Sequence, residues 1–408
     1  MLRFASNPNG DINITDLRVA LFNHITAKQK KEDLIVRIQD LDKEKNADAK
    51  DKEILEILEL FGIEYSQVIY QSEGMRFHTA MALQLIHDKE AFSCFCSDEW
   101  LDGKKKEAKA AKKPYKYDDA CANLPAELVI DNLSPFTIRI KKPTDASDID
   151  SFVIMNEDKT PSDCFASAVD DMLNDISIVI QSEEDMSNAS KQAHIRSALK
   201  YEKTLDYVKL PILLGNELPS VKWLLEEGFL PDAISNYLIS IGTKPPKKIF
   251  TLEESIEWFD LSQASSSSAC FDMNALRDIN KKHLLQLDNK ELSRYVGFAD
   301  EEIGGLAKVY LKEINTIKEL KQIIATIFAA KEIPQKLKDQ SALLLSTIKS
   351  APYFEQYDDF KNYTMKESGL KEQDFLEVLR LLFTGTNDGI SLEEIYQYIK
   401  NYIGEIVK

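Results

Sequence analysis

Cys94, Cys96 and Cys121 form a Cys-x-Cys-x24-Cys series, while Cys164 and Cys270 stand apart from it. An odd number of cysteines in a chain with no export signal points to a metal site or free thiols rather than a disulfide framework. Beyond the first pair, seven lysines fall within 13 residues: Lys104, Lys105, Lys106, Lys109, Lys112, Lys113 and Lys116. Such a run reads either as a solvated face or as a patch that neutralises nucleic-acid phosphates, with Tyr115 and Tyr117 beside it. None of the five histidines, at 24, 78, 87, 194 and 283, has a spacing that suggests catalysis. Cys164 and Cys270 read as fillers or neutral substitutions.

The elements that must position these groups change character along the chain. Leu2–Ala5 reads as a short strand, Leu17–Ala27 as a helix, Asp33–Ile38 as a buried strand and Asp48–Leu60 as an amphipathic helix. That alternation predicts a doubly wound α/β sheet. The loop Ser6–Asp16, with Pro8 and Gly10, then lies where strand ends and a helix N-terminus converge on ligands. A second α/β stretch runs from Phe152–Ile154 through Ile176–Ile180 to Leu210–Leu214, and the insertion between the two halves holds three cysteines and the lysine run. From Pro219 the pattern has period 3.6, with helices expected over Val221–Glu227, Ala233–Ile241 and Ile303–Ile323. Pro245-Pro246 and Ser265–Ser268 read as loops, and the absence of a repeat argues against a solenoid.

Composition narrows the function classes. The 408 residues carry 51 Lys and Arg against 68 Asp and Glu, a formal net charge of −17. A chain this acidic is no general DNA coat, so DNA is not an expected partner. No stretch approaches the roughly 18 apolar residues of a membrane span, and the N-terminus has no signal-peptide run. Neither a membrane partner nor export is expected, which leaves the cytoplasm.

Collinear motifs carry a resemblance. Arg3-Phe-Ala-Ser-Asn-Pro-Asn-Gly10 leads to Arg18-x-Ala-Leu-Phe-Asn23, Arg37-Ile-Gln-Asp-Leu-Asp42, Tyr70-Gln-Ser-Glu73, Cys94-Phe-Cys96 and Ala168-Val-Asp-Asp171. Leu210-Pro-Ile-Leu-Leu214, Glu227-Gly-Phe-Leu-Pro-Asp-Ala233, Asn236-Tyr-Leu238, Phe271-Asp272 and Arg380-Leu-Leu-Phe-Thr-Gly385 continue the order. The series resembles the bacterial-type glutamyl-tRNA synthetases, which are class I enzymes, over nearly the whole chain. The resemblance implies an α/β Rossmann-type catalytic domain with an inserted acceptor-binding domain and an all-α C-terminal anticodon-binding-like domain. Its expected pieces are residues 1–90 and 149–218 for the two Rossmann halves and 91–148 for the insertion. A helical stem-contact region over 219–295 and the anticodon-binding-like domain over 296–408 complete it. It also implies tRNA as partner, with contacts from the lysine run, Lys371 and Arg380.

The departures from the family concentrate on one pocket. The His-Ile-Gly-His type signature aligns with Asn13, Ile14, Thr15 and Asp16, which replaces the first His, fills the Gly position with a β-branched residue and adds a carboxylate. The Lys-Met-Ser-Lys-Ser type loop is absent: Leu214-Gly-Asn-Glu-Leu-Pro-Ser220 runs directly into Val221. Losing such charge-stabilising groups costs about 3 to 4 kcal/mol each by analogy with oxyanion donors. The implied substrate pocket comprises Arg3, Ala5, Asn7, Gln39, Asp163 and Gln181. Gln39 and Gln181 stand where the family has an acidic residue and an Arg, and Asp163 replaces a Tyr. An amide cannot make the bidentate ion pair of an arginine. Arg3 is then the one charged ligand left, with Asp16 and Asp163 repelling glutamate and ATP. Lys142–Ile149 is also shorter than its family counterpart. A product decaying without selection is the plain alternative, set against intact amphipathic periodicity elsewhere.

The cysteine series resembles the family's zinc motif Cys-x-Cys-x24-Cys-x-His, with Cys94, Cys96 and Cys121 in place and Asn123 where the His would stand. Three thiolates suit Zn²⁺, while Asn is a poor fourth ligand, so zinc and free thiols both stay open. Otherwise no cofactor is expected, and ATP with Mg²⁺ enters only if the chain is active. The expected function is thus that of a degenerate glutamyl-tRNA synthetase paralogue that binds tRNA or a translation partner without activating glutamate. The alternatives are an active glutamate–tRNA ligase, and a scaffold or regulator that contacts an active synthetase or other translation protein without RNA.

Overall fold

The computed structural model describes residues 1–144, 149–183, 188–215, 217–265 and 267–407. The chain divides into two units, Met1–Val221 with Leu238–Pro246 and Leu252–Phe271, and Lys222–Tyr237 with Lys247–Thr251 and Asp272–Lys408. Among the described residues, no helix is long and apolar enough to cross a membrane.

The strands are β1 (Leu2–Ser6), β2 (Leu34–Ile38), β3 (Gln67–Tyr70), β4 (Ala91–Cys94), β5 (Thr137–Ile140), β6 (Phe152–Met155), β7 (Ile178–Ser182), β8 (Asp206–Leu210), β9 (Leu213–Leu214) and β10 (Ala269–Cys270). Five of them form a parallel sheet in the order β3-β2-β1-β7-β8. The inner strands β1, β2 and β7 are buried almost throughout because helices cover a parallel sheet from either side, while the edge strands β3 and β8 keep exposed polar residues. Those of the first unit are α1 (Ile14–Lys30), α2 (Lys50–Leu60), α3 (Met75–His87), α4 (Asp98–Ala110), α5 (Ala126–Ile130), α6 (Asp163–Leu173) and α7 (Ala189–Ala198).

Two expectations for this half are corrected. Phe152–Ile154 does not join the main sheet. It lies in β6, which pairs antiparallel with β5 in a separate sheet of order β4-β5-β6. Leu210–Leu214 is not one strand either: Pro211 has no N–H to donate, so β8 stops at Leu210 and β9 pairs with β10 instead. The expected helix at Leu17–Ala27 begins earlier, at Ile14, because Asn13 caps it. Arg18, buried in α1, donates from Nη1 to the Pro211 carbonyl at 3.2 Å and from Nη2 to that of Ile241 at 2.9 Å. The expected loop Ser265–Ser268 and the shortened segment Lys142–Ile149 fall partly outside the described residues, at Ser266 and 145–148.

Three helices follow, α8 (Val221–Glu226), α9 (Pro231–Ser240) and α10 (Leu252–Trp258). The rest of the chain is helical: α11 (Met273–Gln286), α12 (Asn289–Tyr295), α13 (Glu301–Tyr310), α14 (Ile317–Phe328), α15 (Lys338–Ser350), α16 (Tyr357–Ser368), α17 (Glu372–Thr384), α18 (Leu392–Ile399) and α19 (Ile403–Ile406). Their apolar stripes meet in one core that includes Leu306, Ile324, Phe375 and Tyr396. The single helix expected over Ile303–Ile323 is two, because Thr316 and Glu319 form a capping box that starts α14 afresh.

Candidate functional site

Side chains alternate across a strand, so Arg3 and Ala5 on β1 share a face with Arg37 on β2, which lies opposite Ala5 in the parallel register. Gln181 on β7 reaches the same place, and these residues line a cavity of about 340 Å³ at the ends of the strands. Asn7, Asn13, Asp16, Gln39 and Asp163 line it too, so the structure brings together all six expected substrate-pocket residues and two of the four signature positions. Thr15 is not among the lining residues, and Ile14 is fully buried.

Arg37 was missed by sequence reasoning, and its presence corrects the expectation that Arg3 is the one cationic group left. Both guanidiniums converge on Asp171 of α6: Arg3 Nε lies 3.0 Å and Arg37 Nη1 2.6 Å from its Oδ1. The three side chains are almost wholly buried. Burial raises the Asp171 carboxyl, but the charges and hydrogen bonds of Arg3 and Arg37 outweigh it and hold it below the usual carboxylate range. Burial lowers Arg37 in turn, against the attraction of Asp171. Arg3 also donates from Nη2 to Gln181 Oε1 at 3.3 Å, and Gln39 Nε2 donates to Ser167 Oγ at 3.4 Å. The Arg37 signal was present in the motif Arg37-Ile-Gln-Asp, but nothing local shows which face of the strand carries function.

The cavity's outer wall is the start of α1. Asn13 Oδ1 accepts the backbone N–H groups of Thr15 at 2.7 Å and Asp16 at 3.0 Å. A helix N-terminus attracts anions through open N–H groups and its dipole. Here the cap satisfies two of those groups, and the Asp16 carboxylate sits in the first turn. Among the described residues, neither a lysine nor a histidine lines the cavity. The connection from β9 to α8 spans only residues 215–220, of which Asn216 lies outside the described residues. Its far end is pinned, with Ser220 bridged to Asn13 and the Val221 N–H donating to the Ile12 carbonyl at 2.9 Å.

A family profile described as class I tRNA synthetases (E and Q), catalytic domain, matches residues 1–278. The chain is 56% identical to "Glutamate--tRNA ligase 2" of Sulfurimonas denitrificans over 432 aligned positions that cover all of both chains. The chain belongs to the glutamate–tRNA ligase family. "Glutamate--tRNA ligase 1" of Campylobacter jejuni is 44% identical, again over 432 positions and the whole of both chains. Those alignments exceed the 408 residues here by 24 positions, so both family members carry residues with no counterpart in this chain. The fold matches the solved glutamate tRNA ligase of Elizabethkingia meningosepticum, in complex with its amino acid, with TM-score 0.81 at 21% identity and coverage of 100% of this chain and 99% of that one.

The cysteines of this family member also converge. The Sγ atoms of Cys94, Cys96 and Cys121 lie within 4.8 Å of one another, with Cys96 and Cys121 3.6 Å apart. Tetrahedral thiolate zinc, with bonds of about 2.3 Å, places sulfurs at about this spacing. Asn123 is exposed. Tyr117 lies beside the thiols, its Oη 3.3 Å from Cys94 Sγ and 3.4 Å from Cys96 Sγ. Arg139 donates from Nε to Cys94 Sγ at 3.3 Å and lies 4.1 Å from the centre of the Tyr117 ring. Burial raises the Cys94 thiol, but hydrogen bonds from Tyr117, the Cys96 backbone and Arg139 more than offset it, so the net shift is downward. Burial pushes Cys96 up to about 12. The three thiols fit a soft cation, and Tyr117 is a hydroxyl neighbour beside two of them.

Tyr117 therefore belongs to the cysteine cluster rather than to the lysine run. The run itself lies on α4, no residue of which is buried, and in the segment after it. Lys104 pairs with Glu107 and Lys105 with Asp102, while Lys106, Lys109, Lys112, Lys113 and Lys116 are exposed. Lys371 is exposed at the start of α17, whereas Arg380 turns inward and donates from Nη1 to the Ile390 carbonyl at 2.9 Å.

Proposed function

We propose that this member of the glutamate–tRNA ligase family binds tRNA and has lost ATP-dependent activation of glutamate. The observation that carries this reading is the start of α1, where Asn13 takes up the Thr15 and Asp16 N–H groups and Asp16 adds a negative charge. A triphosphate approaching that turn meets a satisfied helix terminus and a carboxylate. The pinned 215–220 connection, which contains no lysine, offers nothing to neutralise a leaving pyrophosphate. Arg3 Nε and Nη2 are already held by Asp171 and Gln181, so a glutamate carboxylate competes for that guanidinium with two partners inside the protein.

In this reading residues 1–90 and 149–218 are the two Rossmann-like halves and 91–148 the acceptor-binding insertion, whose exposed lysines meet phosphates. Residues 219–295 contact the stem, and 296–408 resemble an anticodon-binding domain, with Lys371 rather than the inward-turned Arg380 facing RNA. The test is a charging assay with purified protein, ATP, radiolabelled glutamate and total tRNA, run beside an active family member. No labelled acid-precipitable tRNA is expected, and label above a no-enzyme control would overturn the reading.

A second reading, an active ligase that forms glutamyl-tRNA, is favoured by the 56% identity to a protein named glutamate–tRNA ligase. The charging assay separates the two. Binding to tRNA that weakens steeply with salt separates both from a scaffold that touches only another translation protein.

A further inference from the structure

The floor of the main cavity holds more cationic charge than its own partners absorb. Arg3 and Arg37 both line the cavity, are 5% and 2% exposed, and share one carboxylate, that of Asp171. Arg3 uses Nε on Asp171 and Nη2 on Gln181, and Arg37 uses Nη1 on Asp171 and on the Ser167 carbonyl. Among the described residues, Arg3 Nη1 and Arg37 Nη2 have no hydrogen-bond partner, and neither is sealed from solvent as Arg37 Nε is. Each of the two buried guanidiniums thus keeps one donor nitrogen open at the cavity. Arginine stays charged, and a buried charge with open donors favours an anion that completes it. A carboxylate has two oxygens for two such donors.

An acid stands at the other end of the same wall. Asp163, Ser167 and Asp171 recur every fourth residue on α6, so they form one stripe along the helix. Asp163 and Ser167 line the cavity, and Asp171 holds the arginines at the buried end of the stripe. Asp163 is exposed, and its carboxylate has no hydrogen bond or close ion pair among the described residues. Lys45, which it attracts, is bonded to Asp42 at 2.6 Å. Between the two poles lie the uncharged amides of Gln39 and Gln181. The helix rise separates Asp163 from Asp171 by about 12 Å, and hydrogen bonds of about 3 Å at each end leave about 6 Å between the charges of a bridging ligand. An α-amino acid carries its carboxylate and ammonium on one carbon, too close together to bridge the poles with that pair. A chain of three methylenes spans the gap. Glutamate spans it through its side chain, but its second carboxylate then meets amides where an ion pair needs a cation.

We propose that this cavity binds an ω-amino acid of about four carbons, its carboxylate on Arg3 Nη1 and Arg37 Nη2 and its ammonium on Asp163. The proposal rests on the reading that the pocket no longer activates glutamate, which the charging assay tests separately. The test is isothermal titration of the full-length protein, without ATP or tRNA, with 4-aminobutanoate, butanoate and L-glutamate. Saturable one-to-one binding of 4-aminobutanoate is expected, about tenfold or more tighter than either of the others, the scale of one charged hydrogen bond. Asp163→Asn, at an exposed position, should keep the wild-type melting curve and bring 4-aminobutanoate down to the affinity of butanoate. Absence of saturable 4-aminobutanoate binding, an affinity no better than that of butanoate, or undiminished binding in Asp163→Asn overturns the proposal. Tighter binding of glutamate overturns it too, and uncharged tRNA in the parallel charging assay then shows that the loss of activation stands without it.

Discussion

Arg3 Nη2 donates to Gln181 Oε1 at 3.3 Å across the main cavity, while its Nε holds Asp171 at 3.0 Å. Two of the three guanidinium nitrogens are therefore engaged inside the protein. The amide at 181 matters for that arrangement, since its carbonyl oxygen accepts where a second guanidinium could only donate and repel.

Asp171 is the one carboxylate between two buried arginines, so Asp171→Asn should destabilise the fold by about 3–5 kcal/mol. Urea unfolding with an unchanged slope checks this. Because its folded pKa is depressed, the carboxylate's contribution is present above the ordinary value of 3.8 and lost only as pH falls through the lower folded value. Wild type and variant should converge only in strong acid.

The cap at Asn13 makes a separate prediction. Asn13→Ala should cost about 1 kcal/mol by exposing the Thr15 and Asp16 N–H groups. It should not produce charging activity, since Asp16 and the short 215–220 connection remain; an active Asn13→Ala protein would show that the cap alone suppresses catalysis.

Two buried histidines give the protein a pH slope. Burial is the largest influence on both His24 and His283 and lowers each below the ordinary 6.5, so both lose their proton at lower pH in the native state than in the unfolded chain. Between the folded value and 6.5 the unfolded chain binds more protons, and stability rises with pH through that window and levels off above it. Denaturation midpoints at a series of pH values should show this rise, and the double variant His24→Gln/His283→Gln should flatten it.

Close helix packing makes two glycines opposite in sign. A methyl group on Gly304 would meet the Asn289 carbonyl oxygen at 1.7 Å, whereas one on Gly103 in α4 meets nothing within 4 Å. Gly304→Ala should therefore destabilise by about 1–3 kcal/mol or more, and Gly103→Ala should stabilise by about 0.5–1 kcal/mol. Thermal melts of the two variants decide it.

The cysteine cluster predicts about one Zn²⁺ per chain, as a tetrahedral site with three thiolates and one oxygen ligand would hold. Elemental analysis after zinc loading and dialysis should find it in the wild type and in Asn123→Ala, and not in Cys121→Ser. Tyr117→Phe should weaken retention, and equal zinc in wild type and Cys121→Ser would remove the site.

Much of the fold was legible because periodicity reports burial directly. The strands at Leu2, Leu34 and Ile178, α2 and the helical C-terminal part follow from which residues must leave water. The capping box at Thr316 and Glu319 was readable too, and noticing it would have divided the Ile303–Ile323 helix. The place of the candidate pocket followed from the strand–helix alternation around the loop Ser6–Asp16, while Gln39, Asp163 and Gln181 were legible only through motif resemblance.

By itself the sequence determined the family, the alternation of elements and the cysteine spacing, all properties of residues near one another in the chain. Tertiary structure alone decided that Arg37 shares Asp171 with Arg3, that Tyr117 stands beside the thiols of Cys94 and Cys96, and that β6 pairs outside the main sheet. The reason is physical: hydrophobic periodicity states that a face is buried without stating against what. The partners of a buried charge or thiol come from distant segments, as far as 223 residues away for Arg18 and Ile241.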